Sequence, residues 1–235
     1  MILITGGTGR LGTELKKIIP DSITPSKETL DIAKLHSAIL NVDLIVHCAA
    51  YTNVAMAETE KELCYKTNVV GTRNLASLGI PMLYISTEYV FDGEKGQYAE
   101  SDYPNPRNFY ALTKLLGEYE SRRTRSVVVR CLFKPRPFEH QAACVDQFTS
   151  GDYVDRMAME IAKAIRIFDR LPPTIHIGFE RKSTYELARE TRPDVIPITV
   201  ESIGIVRLPR DTSLCTDLWQ SISHDVSLEK KSETQ

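Results

Sequence analysis

Tyr110 and Lys114 stand four residues apart in Phe109-Tyr110-Ala111-Leu112-Thr113-Lys114, a spacing that puts two side chains on one face of a helix. A phenol titrates near pH ~10 in water, and a neighbouring ammonium favours the phenolate and lowers that value toward working pH. The pair therefore suits a proton donor and the cation that tunes it. Thr87 closes an apolar run, Leu83-Tyr84-Ile85-Ser86-Thr87, where its hydroxyl could hold a carbonyl beside the phenol. Taken alone, the same spacing also describes a half-buried Tyr beside a solvated Lys. The segments around the pair separate these readings.

The apolar positions Phe109, Leu112, Leu115, Leu116 and Tyr119 predict a helix carrying the pair. At the other end, Met1-Ile2-Leu3-Ile4-Thr5 reads as a strand buried on both faces. Gly6-Gly7-Thr8-Gly9-Arg10-Leu11-Gly12 follows at once, then a helical pattern through Leu11, Leu15, Ile18 and Ile19. Glycines at 6, 9 and 12 answer the needs of a tight turn, close approach to a pyrophosphate and a close helix–strand contact. With a strand before and a helix after, the loop predicts dinucleotide binding. The second strand, Ser22-Ile23-Thr24, is cut short by Pro25 and lacks the acid that would grip a ribose 2′-hydroxyl. Ser26, Lys27 and Arg10 are near instead. Either these cations meet a 2′-phosphate, favouring NADP(H) over NAD(H), or they are simply solvated.

Asp31 is expected to cap or open a helix with Ile32, Leu35 and Ile39 on its apolar face. Val42 to Ala50 reads as another buried strand, ending in small residues that let backbone approach a ring. A long helix is expected from about Glu58 to Ser77. Asn68 inside it is unfavourable by propensity, so either a specific hydrogen bond holds it or it faces water. Strand–helix alternation predicts an α/β fold, a Rossmann-type doubly wound parallel sheet. Ligands of such sheets lie outside the carboxyl ends of the strands. The glycine loop, Ala49 to Tyr51, Thr87, Tyr110 and Lys114 would then converge on one crevice.

Later in the chain, Val127-Val128-Val129-Arg130 reads as a strand, Asp152 to Phe168 as an amphipathic helix, and Ile175 to Gly178 as a strand. Ser183 and Glu186 have the spacing of a capping box. Arg207 and Arg210 either face a pyrophosphate or carboxylate or are solvated loop residues, and His140 and His176 show no partner arrangement. The expected organisation is a dinucleotide-binding core over 1–132, a shortened substrate lobe over 133–222 interleaved with it, and a frayed tail over 223–235. A net charge of -2 supplies no basic field for nucleic acid or an anionic membrane, and no apolar run approaches the ~20 residues of a membrane span. The first residues pass straight into a glycine loop, so no signal peptide is expected. The cysteines, Cys48, Cys64, Cys131, Cys144 and Cys215, lack metal-ligand spacing, so a reduced, cytoplasmic protein without a metal is expected.

Several stretches together resemble the extended short-chain dehydrogenases/reductases, specifically the dTDP-4-dehydrorhamnose reductase group. They are Ile4 to Gly12, Val42 to Thr52, Thr67 to Ala76, the run Ile85-Ser86-Thr87-Glu88-Tyr89-Val90-Phe91-Asp92-Gly93, and Asn105 through Tyr110 and Lys114 to Glu118. The resemblance is close to about Arg130 and patchy beyond. It implies an NAD(P)H-dependent reductase of the 4-keto group of a nucleotide-linked 6-deoxyhexose, with a homodimer possible. Gly9, Arg10 and Leu11 would lie along the pyrophosphate, Asp31 and Ile32 beside the adenine, and Ala49, Ala50, Tyr51 and Thr52 along the nicotinamide half. Tyr110 would be the general acid, Lys114 would bond the nicotinamide ribose and lower the Tyr110 pKa, and Thr87 would bind the keto oxygen. Asn68 matches a supporting asparagine of the wider superfamily. Glu88 stands where the group has aspartate, and Phe133 where it has a tryptophan packing on the sugar; both are expected at the substrate. The same resemblance admits a non-catalytic, cofactor-binding regulatory subunit, or an epimerase of a related nucleotide sugar.

Overall fold

A computed structural model describes residues 1–35, 41–204 and 207–232. Its centre is a five-stranded parallel sheet of β1 (Ile2–Thr5), β2 (Leu44–His47), β3 (Met82–Ile85), β4 (Ser126–Arg130) and a later strand at Thr174–His176, in that order. These strands are nearly continuous apolar runs because both faces are covered. Register pairs Thr5 with His47, His47 with Tyr84, Ile85 with Val129 and Arg130 with His176, so the carboxyl ends finish at one edge. The short second strand survives only as a parallel bridge between Leu3 and Ile23, on the far side of β1 from β2. The chain therefore leaves β1 toward one edge and returns to β2 on the other side, a switch in direction that opens a crevice between those two strands.

On one face lie α1 (Arg10–Ile18) and, from the second half, α5 (Val154–Arg166) and α7 (Asp217–Ser232). Leu11 and Leu15 meet Met157, Ile161 and Trp219 over Val127 and Val129. Burying each such aliphatic side chain contributes about 1.5–3 kcal/mol. The opposite face is covered by α2 (Lys61–Tyr65), a π-helical turn (Lys66–Val70) and α3 (Gly71–Ala76), a single helical run with one wide turn inside it. Tyr110 and Lys114 lie on α4 (Phe109–Ser121), capped by Asn108, whose Oδ1 accepts from the Ala111 N–H at 2.9 Å.

The rest of the second half forms two-residue and three-residue ladders: β5 (Phe133–Lys134) with β8 (Asp152–Tyr153), β6 (Ala142–Cys144) with β11 (Ile196–Ile198), and β7 (Phe148–Thr149) with β10 (Lys182–Ser183). They surround α6 (Thr184–Arg189), whose start is the expected capping box of Ser183 and Glu186. The sheet strand at Thr174–His176 is β9. Three expectations change. The helix expected from Asp31 is one 3-10 turn, Ile32–Lys34, capped by Asp31, after which Leu35 is extended and packs toward the core; Ile39 lies outside the described residues. The stretch expected to fray from Ser223 continues α7 to Ser232, and residues 233–235 lie outside the described residues. His176 is buried with partners: its Nδ1 lies 3.0 Å from the Tyr98 carbonyl oxygen and its Nε2 3.5 Å from the Arg130 guanidinium. No helix among the described residues is long and apolar enough to cross a membrane.

Candidate active site

The glycine loop is shaped by contacts at three of its glycines. Gly6 turns with φ +67°, where only glycine is unstrained, and a methyl there would lie 2.8 Å from the Ala49 backbone. A methyl on Gly12 would run into the Gly6 carbonyl and sit 2.7 Å from the Gly7 Cα. Gly9 differs, because a methyl there would meet only the Gly6 oxygen at 3.1 Å and otherwise open space. The loop thus packs its back against β2 and α1 and leaves its Gly9 side open at the first turn of α1, a cradle that fits a dinucleotide pyrophosphate. Arg10 opens α1 on the exposed side, while the Leu11 side chain is sealed in the core and offers a ligand only its backbone.

The end of β2 is held to this loop by a chain of hydrogen bonds. His47 bonds Thr5 Oγ1 through Nδ1 at 2.8 Å and Thr72 Oγ1 through Nε2 at 3.0 Å, and burial depresses its pKa to about 3, so it is a neutral strut. Asn68 resolves the question its position raised. Its Oδ1 accepts from the Tyr51 N–H at 2.8 Å, and its Nδ2 donates to the Tyr51 carbonyl at 3.2 Å and to Thr113 Oγ1 at 2.9 Å. It sits in the π-helical turn, a feature frequent at functional sites, and ties the Ala49–Thr52 segment to α4 one residue before Lys114. Tyr51 itself donates its hydroxyl to Glu60 at 2.7 Å, and Thr52 is exposed.

Thr87 follows β3 and caps the 3-10 turn Glu88–Val90, its Oγ1 accepting from the Tyr89 N–H at 3.3 Å. Burial pushes the Tyr110 phenol up, with a hydrogen bond to Thr87 acting in the opposite direction. The Lys114 ammonium donates to the Ile85 carbonyl at 2.7 Å and lies 4.2 Å from the centre of the Tyr84 ring. Burial lowers its pKa to about 8, against the raising influence of Glu118. Thr87, Tyr110 and Lys114 therefore do meet at the end of β3. The expected lowering of the Tyr110 pKa does not appear, because burial raises the phenol and the influence that opposes it is the Thr87 hydrogen bond.

One participant was missed. Glu118 is one more turn along the face of Tyr110 and Lys114, a spacing that could have been read. It accepts from Ser86 Oγ at 2.5 Å and takes a two-pronged ion pair from buried Arg130 at 3.0 and 2.8 Å. This anion under Lys114 locks α4 to β3 and β4. Glu88 faces away from open solvent, at 0% exposure, with Oε2 accepting from Thr149 at 2.9 Å and Oε1 from Thr212 at 2.7 Å. Burial raises its pKa to about 7. Both its oxygens are taken by the protein, so here it braces the second half of the chain against the end of β3. Phe133 is half-buried against the core at the start of β5. Ile32 is enclosed against Gly71, leaving Asp31 and backbone to border a ligand.

Beside Thr149 and Thr212 opens a cleft of about 780 Å³ lined by Arg107, Arg181, Arg207, Arg210 and the acids Asp92 and Asp211. Arg181 pairs with Asp211 at 2.8 Å and stacks on Phe148, Arg107 pairs with Glu94, and Arg210 pairs with Glu201. The Arg207 guanidinium pairs with no carboxylate among the described residues. Thr87, Tyr110 and Lys114 are not in its walls; Glu88 links the two regions.

This fold is of the Rossmann type, and its glycine loop leaves open a cradle of a shape that suits a dinucleotide. Residues 1–133 match the family described as RmlD substrate binding domain, and the chain belongs to that family. It is 37% identical over 134 residues to a dTDP-4-dehydrorhamnose reductase of Aggregatibacter actinomycetemcomitans, a match covering 50% of this chain and 45% of that protein. It is 28% identical over 232 residues to methionine adenosyltransferase 2 subunit beta of Bos taurus, covering 80% and 70% of the two chains. In structure it is similar to a dTDP-4-dehydrorhamnose reductase of Bacillus anthracis in complex with NADP, with a TM-score of 0.83, 26% identity, and 97% and 98% of the two chains covered. The chain spans about half the length of the curated reductases it matches.

Proposed function

We propose that this protein is a cytoplasmic, NAD(P)H-dependent reductase of the 4-keto group of a nucleotide-linked 6-deoxyhexose, with dTDP-4-dehydrorhamnose as the reference substrate. The observation that carries the reading is the meeting of Thr87, Tyr110 and Lys114 at the end of β3, beside an open glycine cradle. The nicotinamide supplies hydride when bound. Thr87 holds the substrate oxygen, and Tyr110 donates its proton to that oxygen as the carbonyl carbon is reduced. The high proton affinity of the buried phenol keeps it loaded at neutral pH. Lys114, with a pKa of about 8, is still mostly charged there and stabilises the phenolate left behind. The arginine cleft suits a nucleoside diphosphate, with Arg207 and Arg210 donating hydrogen bonds to its phosphate oxygens. Exposed Lys27 and the lack of an acid at the end of the second strand, Ser22-Ile23-Thr24, favour NADP(H). Leu63 on α2 and Leu112 and Tyr119 on α4 are exposed on adjoining helices and support a homodimer.

The test follows NADPH absorbance with dTDP-4-dehydrorhamnose and folded enzyme. Substrate-dependent oxidation is expected, and Tyr110→Phe should lower turnover by about 10²–10⁴ with NADPH affinity nearly unchanged. A Phe variant as fast as wild type would show that the proton comes from elsewhere. The long match to methionine adenosyltransferase 2 subunit beta favours a second reading, a cofactor-binding subunit of such an assembly. No turnover on a nucleotide-sugar panel, together with stoichiometric binding to a methionine adenosyltransferase catalytic chain, would select it.

A further inference from the structure

Arg10 opens α1 at the cradle, yet its guanidinium is already engaged. Its Nη2 lies 2.8 Å from both carboxylate oxygens of Glu139, which is 129 residues away in the chain. Glu139 is held over the loop by its own surroundings. Neighbouring Phe138 is buried with Tyr153 and Leu187, the Phe138 N–H donates to Thr191 Oγ1 at 3.0 Å, and Arg192 donates to the Glu139 carbonyl at 3.1 Å. Lys134, at the start of the same segment, is close enough to feel Arg10, Glu139 and Glu88, and burial lowers its pKa. The Glu139 carboxylate therefore sits at the mouth of the cradle between Arg10 and His140, whose Nε2 lies 3.6 Å from Oε1, and that carboxylate belongs to the chain itself.

We propose that Glu139 is an internal competitor for the dinucleotide: its carboxylate occupies Arg10, the guanidinium that the pyrophosphate would otherwise engage, so that cofactor entry exchanges one anion for another. The inference rests on the dinucleotide reading of the glycine loop. It adds a residue that sets cofactor affinity and a contact that binding must open. The exchange also releases the 134–140 segment from α1, so an occupied cradle and a docked Glu139 oppose each other. Arg10 adjoins Gly9 on the open side of the loop, whereas Lys27 lies after the second strand. The competition is accordingly for the pyrophosphate, which NADPH and NADH share.

The experiment is fluorescence titration of the full chain with NADPH and, separately, NADH, for wild type, Glu139→Gln, Arg10→Ala and the double variant. Circular dichroism checks the fold, and Glu139→Ser serves as a second removal of the charge. Both Glu139 variants should bind both dinucleotides about two- to five-fold more tightly at low salt, the range of a half-exposed ion pair. Added salt should narrow the gap, and the Arg10→Ala background should abolish it. Unchanged or weaker binding overturns the proposal. So does tightening for NADPH alone, or tightening that persists in full without Arg10. If wild type binds neither dinucleotide, the dinucleotide reading falls and this inference with it; if wild type binds and the variants do not tighten, only this inference falls.

Discussion

Glu88 has one methylene more than the aspartate the resemblance leads one to expect, and that reach lets each oxygen take a hydroxyl from a different later segment, Thr149 and Thr212. Its pKa of about 7 lies above the ordinary carboxyl value of 4.5 because it is buried. The folded chain thus keeps a proton that the unfolded chain releases, and Glu88 contributes stability that is fully present below about pH 4.5 and lost as the pH rises through about 7. Buried His47 and His176 act with the opposite sign. Each has its pKa depressed to about 3 from 6.5, so their contribution is present above about pH 6.5 and lost as the pH falls toward 3. Glu88→Gln should remove only the first dependence. Compared with wild type in urea unfolding, the variant should gain roughly 1–3 kcal/mol between about pH 5 and pH 7.5. Parallel curves over that range would mean that Glu88 is ionised throughout. That Tyr110 and Lys114 share a helix face was legible from their spacing, and Tyr110 to Glu118 could have been read the same way, whereas Thr87 was placed by its position at the end of a strand. The partners of Glu88 were not, because they lie 61 and 124 residues away.

The helical run from α2 to α3 covers Lys61–Ala76 within the expected span, but the face it buries holds Cys64, Asn68, Thr72 and Leu75 while Leu63 is exposed. Spacing did not report the wide turn at Lys66–Val70, where the backbone shifts by one residue over a single turn. Asn68 occupies that turn, so the one residue that looked wrong for a helix marks the irregularity. Its three strong partners span Tyr51 and Thr113, and therefore couple the Ala49–Thr52 segment to the helix that carries Tyr110 and Lys114. Asn68→Ala leaves the Tyr51 backbone groups without these bonds. It should cost about 1–3 kcal/mol of stability and weaken NADPH binding, read by urea unfolding and by titration. Wild-type stability with wild-type affinity would mean that the anchor is idle. The 3-10 turn at Ile32–Lys34 was misjudged for a related reason: Asp31 caps Ala33 equally well in a single turn, and the sequence cannot tell how many turns follow a cap.

The parallel sheet was legible from the order of apolar runs and the glycine loop, but its completion was not assigned to one half of the chain. The matched family region ends at residue 133, just after β4. Beyond it, β9 pairs with β4 through Val128–Thr174, Val129–Ile175 and Arg130–His176, and α5 lies against α1. Leu15, Val127 and Val129 are closed by Met157 and Ile161, residues of the later segment. A chain cut after residue 133 would therefore bare an apolar sheet face and an unpaired strand edge, the combination that favours self-association. Produced alone, that fragment is expected to precipitate or to unfold without cooperativity. Made in the same cell as residues 134–235, it should be rescued into a soluble two-piece complex. The missing strand and helix would act as a graft that the exposed edge selects by register, which makes residue 133 a natural seam for a split reporter whose halves become luminous only on rejoining.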